Sequence, residues 1–595
     1  MGLNDDLVYH ADILIFGIIL IFALANLPKA YARFSRRSEW SEGHRLHSVV
    51  PRRSMNPAIN RNPPISYPID STKPSYVDFE SSTDHSLTAC VSLPYHPGNT
   101  RMKDHYNEKE LPLAPQRLPP PSYYLLHSAA SVLRYRVHDN YSIGQVLLMI
   151  LYTSIIFYVS FYKSNPFTDP HRAGFVITSQ VPFVYALATK NNIIGIMVGV
   201  GYEKLNFLHR LVGRLMVIGA NVHFLGYVYK WSLDGVIYEM LAEDFVRWGI
   251  VALVCLDLLG FCSTSFVRSR SYNLFLATHI VGLNVFLFAA CYHQPTCIPY
   301  VIAAVVFYSI DHVVRAVKTR IATARLRPVT ELGITRVEVP SLNAGWRAGQ
   351  HVRLRVLSSS MGWWGWSEVH PFTIANATQT QEGMVLMCKK TGRWTGSLFD
   401  MAQTSSYGES GKEAGRDVTV MVEGPYGGVG HTVMSSYSGA MFVVGGSGIT
   451  FALSAVQDLI RASGDNDVKI IDIVWSIQDP GSLSPLVTQL ASIVERGTTA
   501  RVRVHVFYTR AISTTFDGMI LPRGITLLPG RPKLAKLLDA VVTGTMLAGG
   551  ANGVFVGVCG PVSLANLTAS VVNGFDTRMR TAVGGVTFHE ETFGW

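Results

Sequence analysis

Four histidines constrain this chain more than any other feature. The run 203–229, EKLNFLHRLVGRLMVIGANVHFLGYVY, carries His209 and His223, and the run 271–293, SYNLFLATHIVGLNVFLFAACYH, carries His279 and His293. In each run the two histidines stand fourteen residues apart. Four helical turns take about 14.4 residues, so each pair falls on one helix face, about 21 Å apart along the axis. Both runs are otherwise apolar and long enough to cross a bilayer. Ionisable residues inside such spans are costly and mark functional sites. Two helices of this kind side by side offer two stacked pairs of imidazoles, one near each membrane face. Zinc does not suit the pattern, because residues fourteen apart on one helix cannot reach one ion. Paired axial imidazoles suit a haem iron and make it an electron carrier with no open coordination position. If the spans alternate in direction, with basic flanks on the cytosolic side, an inner haem is expected on His209 and His279 and an outer haem on His223 and His293.

The chain is 595 residues long with a net charge of +10 and a mean hydropathy of +0.22, which calls for a membrane part together with soluble domains. A basic excess suits nucleic acid in principle. Here it borders apolar runs, where Lys and Arg read as cytosolic anchors, so no nucleic-acid partner is expected. Seven cysteines are scattered without a CxxC, which argues against a disulfide framework or a zinc module. Cys291 and Cys297 flank a short outer turn, where a bridge and two unrelated thiols both stay open.

Residues 11–27 form a first apolar span. Asp5 and Asp6 precede it and Lys29, Arg33, Arg36 and Arg37 follow, so 1–30 reads as an anchor with its N-terminus outside rather than a cleaved signal. Residues 31–140 lack a sustained period and are rich in Ser, Pro and charge, which predicts a largely disordered cytosolic loop. Six further spans are expected near 142–162, 172–190, 203–229, 245–262, 272–293 and 298–317. Arg134, Arg136, Arg268, Arg270, Arg315, Lys318 and Arg320 then all fall on the cytosolic side. The haem-carrying part is bounded at 141–320.

From 321 to 436 short β-branched runs (ITRVEVP, HVRLRVL, MVLMCKK, DVTVMVE) predict an antiparallel barrel. Within it, 402–417 is expected to be a mobile loop. From 437 to 595 strands alternate with helices, which predicts an α/β domain on a parallel sheet. GGSGIT at 445–450 follows a strand and opens a helix, an arrangement that lets the backbone approach a pyrophosphate, although its spacing departs from the six-residue dinucleotide fingerprint. HPFTIA at 370–375 alone is compatible with any strand entry. CGP at 559–561 ends a strand, at the face where open α/β sheets bind ligands. Thr509 and Arg510 end another, where an arginine suits a 2′-phosphate or simply solvent. The terminal HEETFGW carries an aromatic able to stack on a flat ring.

Taken in order, KNNIIGIMVGVGYEKLNFLHRLVGR, both histidine pairs, HPFTIA, GPYG at 424–427, GGSGIT, CGP and Trp595 resemble the fungal ferric reductases of the NADPH oxidase superfamily, over about 140–595. The resemblance implies a polytopic helical membrane domain of about seven spans with two b-type haems. A ferredoxin-NADP-reductase-like FAD barrel and an α/β NADPH domain, both cytosolic, would follow it. It implies FAD contacts from His370, Pro371, Phe372 and Thr373, with Thr395 and Gly396 at the phosphates. It implies NADPH contacts from Gly445, Gly446, Gly448, Ile449 and Thr450, from Thr509 and Arg510 at the 2′-phosphate, and from Cys559, Gly560 and Pro561 at the nicotinamide. Cys559 and Trp595 take the catalytic positions, Trp595 as the aromatic that covers the flavin until nicotinamide displaces it. Arg210 and Arg214 stand beside the inner ligand, where haem propionates and lipid headgroups compete for them. The implied activity is a plasma-membrane reductase of extracellular ferric or cupric chelates, a bilayer protein serving iron uptake beside a ferroxidase and permease. A superoxide-forming oxidase shares every cofactor motif, and a non-catalytic membrane scaffold would share only the spans.

Overall fold

The computed structural model describes residues 3–35, 38–49, 131–138, 141–404, 415–461, 467–497, 500–510 and 520–591. The chain divides into two compact units, 50–113 and the remainder, and every described residue belongs to the remainder. The membrane part is built on α1 (Leu3–Phe34), α2 (Ile143–Phe161), α3 (His171–Ala188), α4 (Asn206–Leu233), α5 (Asp244–Cys262), α6 (Tyr272–His293) and α7 (Ile298–Lys318). All the expected spans are helical, and α1 extends further than its apolar run. Among the described residues six helices are long and apolar enough to cross a membrane; α3 falls outside that set although it has 18 residues. Its polarity is turned inward: Arg172, Ser179 and Gln180 are buried, and Gln180 binds Asp12 of α1 and Tyr152 of α2. Local chemistry starts α2 sharply. Ser142 accepts the Gln145 N–H at 3.3 Å, and the Gln145 side chain accepts the Ser142 N–H at 2.9 Å, a reciprocal cap.

Helix α7 passes without a loop into β1 (Thr319–Val329), the first strand of a six-stranded antiparallel sheet. The sheet continues with β2 (Ile334–Val339), β3 (Gln350–Val356), β4 (His370–Thr373), β5 (Met384–Lys389) and β6 (Arg416–Gly427), in the order β4-β3-β6-β1-β2-β5. An isolated bridge between Ile374 and Leu386 brings the two edges together, so the sheet is nearly a barrel. Helix α8 (Arg393–Gln403) packs on it. Residues 405–414 of the expected mobile loop lie outside the described residues; 416–417 already belong to β6.

A second six-stranded sheet, wholly parallel, holds β7 (Gly439–Gly445), β8 (Ile470–Ile477), β9 (Arg501–Tyr508), β10 (Ile525–Pro529), β11 (Val554–Cys559) and β12 (Val586–Glu591) in the order β10-β9-β8-β7-β11-β12. The chain leaves β7 toward β8 and later returns to β7's other side with β11, so the strand order reverses beside β7. Such a reversal opens a crevice at the carboxyl ends of the strands.

Two sets of contacts fasten the soluble part to the helices. Arg315 near the end of α7 donates twice to Glu423 of β6, at 2.9 and 3.1 Å, and Arg353 of β3 donates to the same carboxylate at 3.2 Å. The other set was expected to be irregular chain. Residues 38–49 lie against the barrel: the Gly43 N–H meets the Gly345 carbonyl, His47 bridges Ala344, and Glu39 pairs with Arg347 at 2.9 Å. Leu46 is fully buried in the barrel core. The expected loop 31–140 therefore does not begin at 31, because one apolar side chain and a short ladder hold its first part. Residues 50–130 lie outside the described residues.

Two outcomes test these fastenings. Leu46→Ala should lower barrel stability by about 2–5 kcal/mol, read as the thermal midpoint of the purified protein. Glu423 is pushed up by burial, but the Arg315 hydrogen bond and the Arg353 and Arg315 charges outweigh that and hold it below its ordinary value of 4.5. A depressed carboxylate contributes stability that is complete above the unfolded value and is lost as pH falls through the folded one. Acid should therefore loosen the barrel from α7 as pH falls from 4.5 through the depressed Glu423 value, and not above it. In Glu423→Gln this pH step should vanish from a limited-proteolysis titration.

Candidate functional site

The four histidines meet in pairs. The rings of His209 and His279 have centroids 6.3 Å apart, and those of His223 and His293 are 6.2 Å apart. A metal–imidazole bond is about 2 Å, so two rings sharing one ion should stand about 6 Å apart between centroids, which both pairs satisfy. Each ring is also tied at Nδ1. His209 Nδ1 lies 2.9 Å from the Val184 carbonyl, His223 Nδ1 2.8 Å from that of Pro170, and His293 Nδ1 2.8 Å from that of Phe245. His279 Nδ1 meets the Ser263 hydroxyl at 3.2 Å. A carbonyl can only accept, so it fixes the proton on Nδ1 and leaves the Nε2 lone pair free for a metal. The residues present therefore fit a bis-imidazole haem at both levels. Beside the inner pair, the buried Nε of Arg210 has no hydrogen-bond partner among the described residues, a donor that suits an anionic propionate.

Topology fixes which pair is which. Tyr202, just before α4, reaches His351 of the barrel at 3.4 Å, so α4 starts on the side of the soluble domains and His209 lies near that side. Only residues 294–297 join α6 to α7, and α7 ends in the barrel, so His293 and its partner His223 lie at the far end.

In the barrel, His370 of β4 rests on Trp394 at 4.4 Å, with Phe372 stacked on the same indole at 6.0 Å. Glu368 holds His370 Nε2 at 3.0 Å. Pro371 stands across the ladder from Arg353, and Thr373 from His351. Thr395 is turned inward: its Oγ1 accepts the Thr391 and Gly392 N–H groups, both at 3.0 Å, and so shapes the start of α8 rather than projecting from it. Gly396 has open space where a side chain would stand, with only Lys390 nearby at 3.7 Å.

Two motifs more than a hundred residues apart come together on the parallel sheet. Gly445, Gly446 and Gly448 turn the chain from β7 into α9 (Ile449–Arg461), whose first residues are Ile449 and Thr450. Gly446 needs its freedom, with φ +53°, and its carbonyl accepts the Trp475 indole at 3.0 Å. A Cβ on Gly448 would stand 2.3 Å from the Cys559 carbonyl, and one on Gly445 2.9 Å from Pro561. Cys559, Gly560 and Pro561 thus abut the glycine turn at the carboxyl ends of β7 and β11. Cys559 is fully buried, and burial pushes its thiol well above the ordinary thiol value, with Glu591 adding to the effect. It is a neutral wall, not a nucleophile. Thr509 and Arg510 end β9 on the same edge of the sheet, two strands from β7, and their N–H groups bind the Ile477 and Gln478 carbonyls. Trp595 lies outside the described residues.

Sequence reasoning passed over the charged groups around this junction. Glu591 stands opposite Cys559 in the ladder, and its Oε1 lies 2.8 Å from His589 Nε2. His351 is pushed down to about 4, mainly by burial. Glu591 lay in view within the terminal HEETFGW run. His351 carried no comparable mark, since only the fold brings it to the junction. Replacing Gly448 by Ala should force the turn off β11 and weaken nicotinamide dinucleotide binding at least tenfold (about 1.4 kcal/mol), measured by titration calorimetry on the purified protein.

Three families match consecutive stretches of the chain. They are the ferric reductase like transmembrane component over residues 173–290, an FAD-binding domain over 318–429, and the ferric reductase NAD binding domain over 437–573. The probable cell surface ferric reductase kap2 of Aspergillus oryzae is 24% identical over 399 residues, covering 61% of this chain and 51% of that protein. The ferric/cupric reductase transmembrane component 7 of Saccharomyces cerevisiae is 26% identical over 369 residues, covering 58% of this chain and 56% of that one. The chain thus spans about half the length of the curated relatives it matches. Among solved structures, a flavohemoglobin from Malassezia yamatoensis aligns over 72% of this chain and 99% of its own at 14% identity, with a TM-score of 0.35. The three matches follow one another in the order of the helical bundle, the near-barrel and the parallel sheet, so the chain resembles the ferric reductases domain by domain.

Proposed function

We propose that the protein is a transmembrane metalloreductase that takes electrons from NADPH on the cytosolic side and delivers them to ferric, or cupric, chelates outside. The observation that carries this reading is the pairing of His209 with His279 and of His223 with His293, two levels of paired rings, each ring anchored at Nδ1. When bound, FAD accepts a hydride and releases single electrons, and bis-imidazole haems relay them one at a time.

The chain's own residues supply position. His209 and His279 would hold the inner haem, and His223 and His293 the outer one. His370, Phe372 and Trp394 form a wall for the flavin, and the start of α8 offers free N–H groups to its phosphates. Gly445 to Thr450 would carry the NADPH pyrophosphate, Thr509 and Arg510 its 2′-phosphate, and the Cys559–Pro561 edge its nicotinamide, with Trp595 as the covering aromatic. The continuous passage from α7 into β1, tied by Arg315 and Glu423, holds the barrel at the inner end of the bundle. Basic residues collect at that end, which supports a cytosolic position for the soluble domains and an outward position for His223 and His293. A relative named a cell surface ferric reductase supports the plasma membrane as the site. A ferrous product there would feed an iron-uptake system such as a ferroxidase and permease.

Expression in cells lacking surface reductases, with an impermeant ferric chelate, tests the reading. Reduction that persists with superoxide dismutase and disappears in His223→Ala is expected. Reduction abolished by dismutase would replace it with the oxidase reading. No reduction at all, in a protein that inserts normally, would leave only a scaffold.

A further inference from the structure

We propose that Gly174 and Gly249 are positioning residues for the outer haem, and that each creates the slot in which one outer imidazole reaches the backbone. The inference rests on the haem reading above and extends it to helices that carry no ligand. His223 belongs to α4, but its Nδ1 partner is the Pro170 carbonyl at the start of α3. His293 belongs to α6, but its partner is the Phe245 carbonyl in the first turn of α5. In a helix, the carbonyl of a residue also receives the N–H of the residue four positions on. Those residues are Gly174 and Gly249, so the two sites are built alike on separate helices. A carbonyl has two lone pairs and can accept both donors.

The glycines decide whether the imidazole can get there. A Cβ on Gly174 would lie 2.5 Å from His223 Cε1 and 2.7 Å from its Nδ1. A Cβ on Gly249 would lie 2.6 Å from His293 Nδ1 and 2.7 Å from its Cε1. Neither glycine has a positive φ, so the backbone does not require it. Glycine inside a helix is less favourable than alanine, and here its missing side chain leaves room for the ring. The sequence marks both places alike: Arg172-Ala173-Gly174 and Arg247-Trp248-Gly249 stand near the start of their helices. The inner ligands are held differently. Four residues beyond Val184, the carbonyl partner of His209, stands Ala188, and His279 is held by a serine hydroxyl. The device therefore belongs to the outer level.

The test uses the full-length protein, purified, with haem counted by pyridine haemochrome and its ligation read by low-temperature electron paramagnetic resonance. Gly174→Ala and Gly249→Ala should each keep the inner low-spin signal and either lose the outer haem, from two per chain to one, or shift its signal. Gly219→Ala and Gly282→Ala are the packing controls. Their added Cβ atoms would meet Ile177 at 2.9 Å and Leu259 at 3.3 Å, between the same helix pairs but away from any imidazole. They should keep both haems with unchanged signals. The inference falls if the first two variants keep both signals unaltered. It also falls if they lose both haems together, or if the controls lose the outer haem in the same way. A parent protein without two low-spin haems would instead overturn the haem reading, and this inference with it.

Discussion

Everything in the membrane part depends on how a buried imidazole is satisfied. A polar ring among apolar helices is costly unless each nitrogen has a partner. Three of the four rings spend Nδ1 on a backbone carbonyl and the fourth on a hydroxyl. Every one of these partners lies on α3 and its N-terminal cap, or on α5 and its C-terminal cap, and never on a helix that carries one of the four histidines. The bundle is therefore not two histidine-bearing helices with packing around them. Helices α3 and α5 orient the rings that α4 and α6 carry, and for that reason α3 can be less apolar than its neighbours while lying just as deep. Its buried Gln180 and Arg172 find partners on adjacent chain, which a lipid-facing helix would not supply.

The second constraint is rigidity between membrane and barrel. A flexible linker after α7 would let the barrel wander, and electron transfer between fixed groups demands a fixed gap. The chain has no linker there: Lys318 ends the helix and Thr319 begins the strand. Glu423 joins Arg315 of the helix to Arg353 of the barrel, and partial burial spares these pairs the screening that makes exposed ion pairs weak. The strap at 38–49 adds a hold from the other end of the chain, with Leu46 in the barrel core and Arg33 of α1 bound to the Thr432 carbonyl. Arg136, shortly before α2, pairs with Glu590 of β12, so the parallel sheet too is tied to the start of a membrane helix.

How much of this was legible in the sequence depended on range. The fourteen-residue spacing lies within one helix, so it showed which histidines share a face, and the alternation of the spans showed which would stand at one depth and meet. The strands with strong β-branched runs, β2, β3, β5 to β9 and β11, stood out for the same local reason. Strands β10 and β12 were missed, since ITLLP and VTFHEE are short edge strands with little pattern of their own. Leu46 was invisible because a lone leucine in polar chain gives no period, and only the barrel supplies its surroundings. Gly174 and Gly249 looked like ordinary glycines in apolar spans, because their contacts come from other helices. The resemblance implies a phosphate contact from Thr395, and the fold adds what the sequence did not show, that its hydroxyl accepts the Thr391 and Gly392 N–H groups and shapes the turn.

The junction between the three parts carries a charge balance that none of them sets alone. Glu203, from the turn before α4, has both carboxyl oxygens buried; burial and the neighbouring Glu591 push it up. Burial acts the same way on Glu591, but Lys204 and His589 overcome it and hold that carboxyl low. The junction thus holds one carboxyl below its ordinary value and pushes the other above it, so the two differ in how readily they ionise. Lys204 comes from the membrane side and Glu591 from the last strand of the parallel sheet, so the lowering of Glu591 depends on the two being docked. If the sheet moved away from the turn, Glu591 would lose a cation and Glu203 a neighbouring anion, and the two carboxyls would shift in opposite directions. Docking of the nucleotide-binding sheet and the protonation of this junction are therefore one equilibrium.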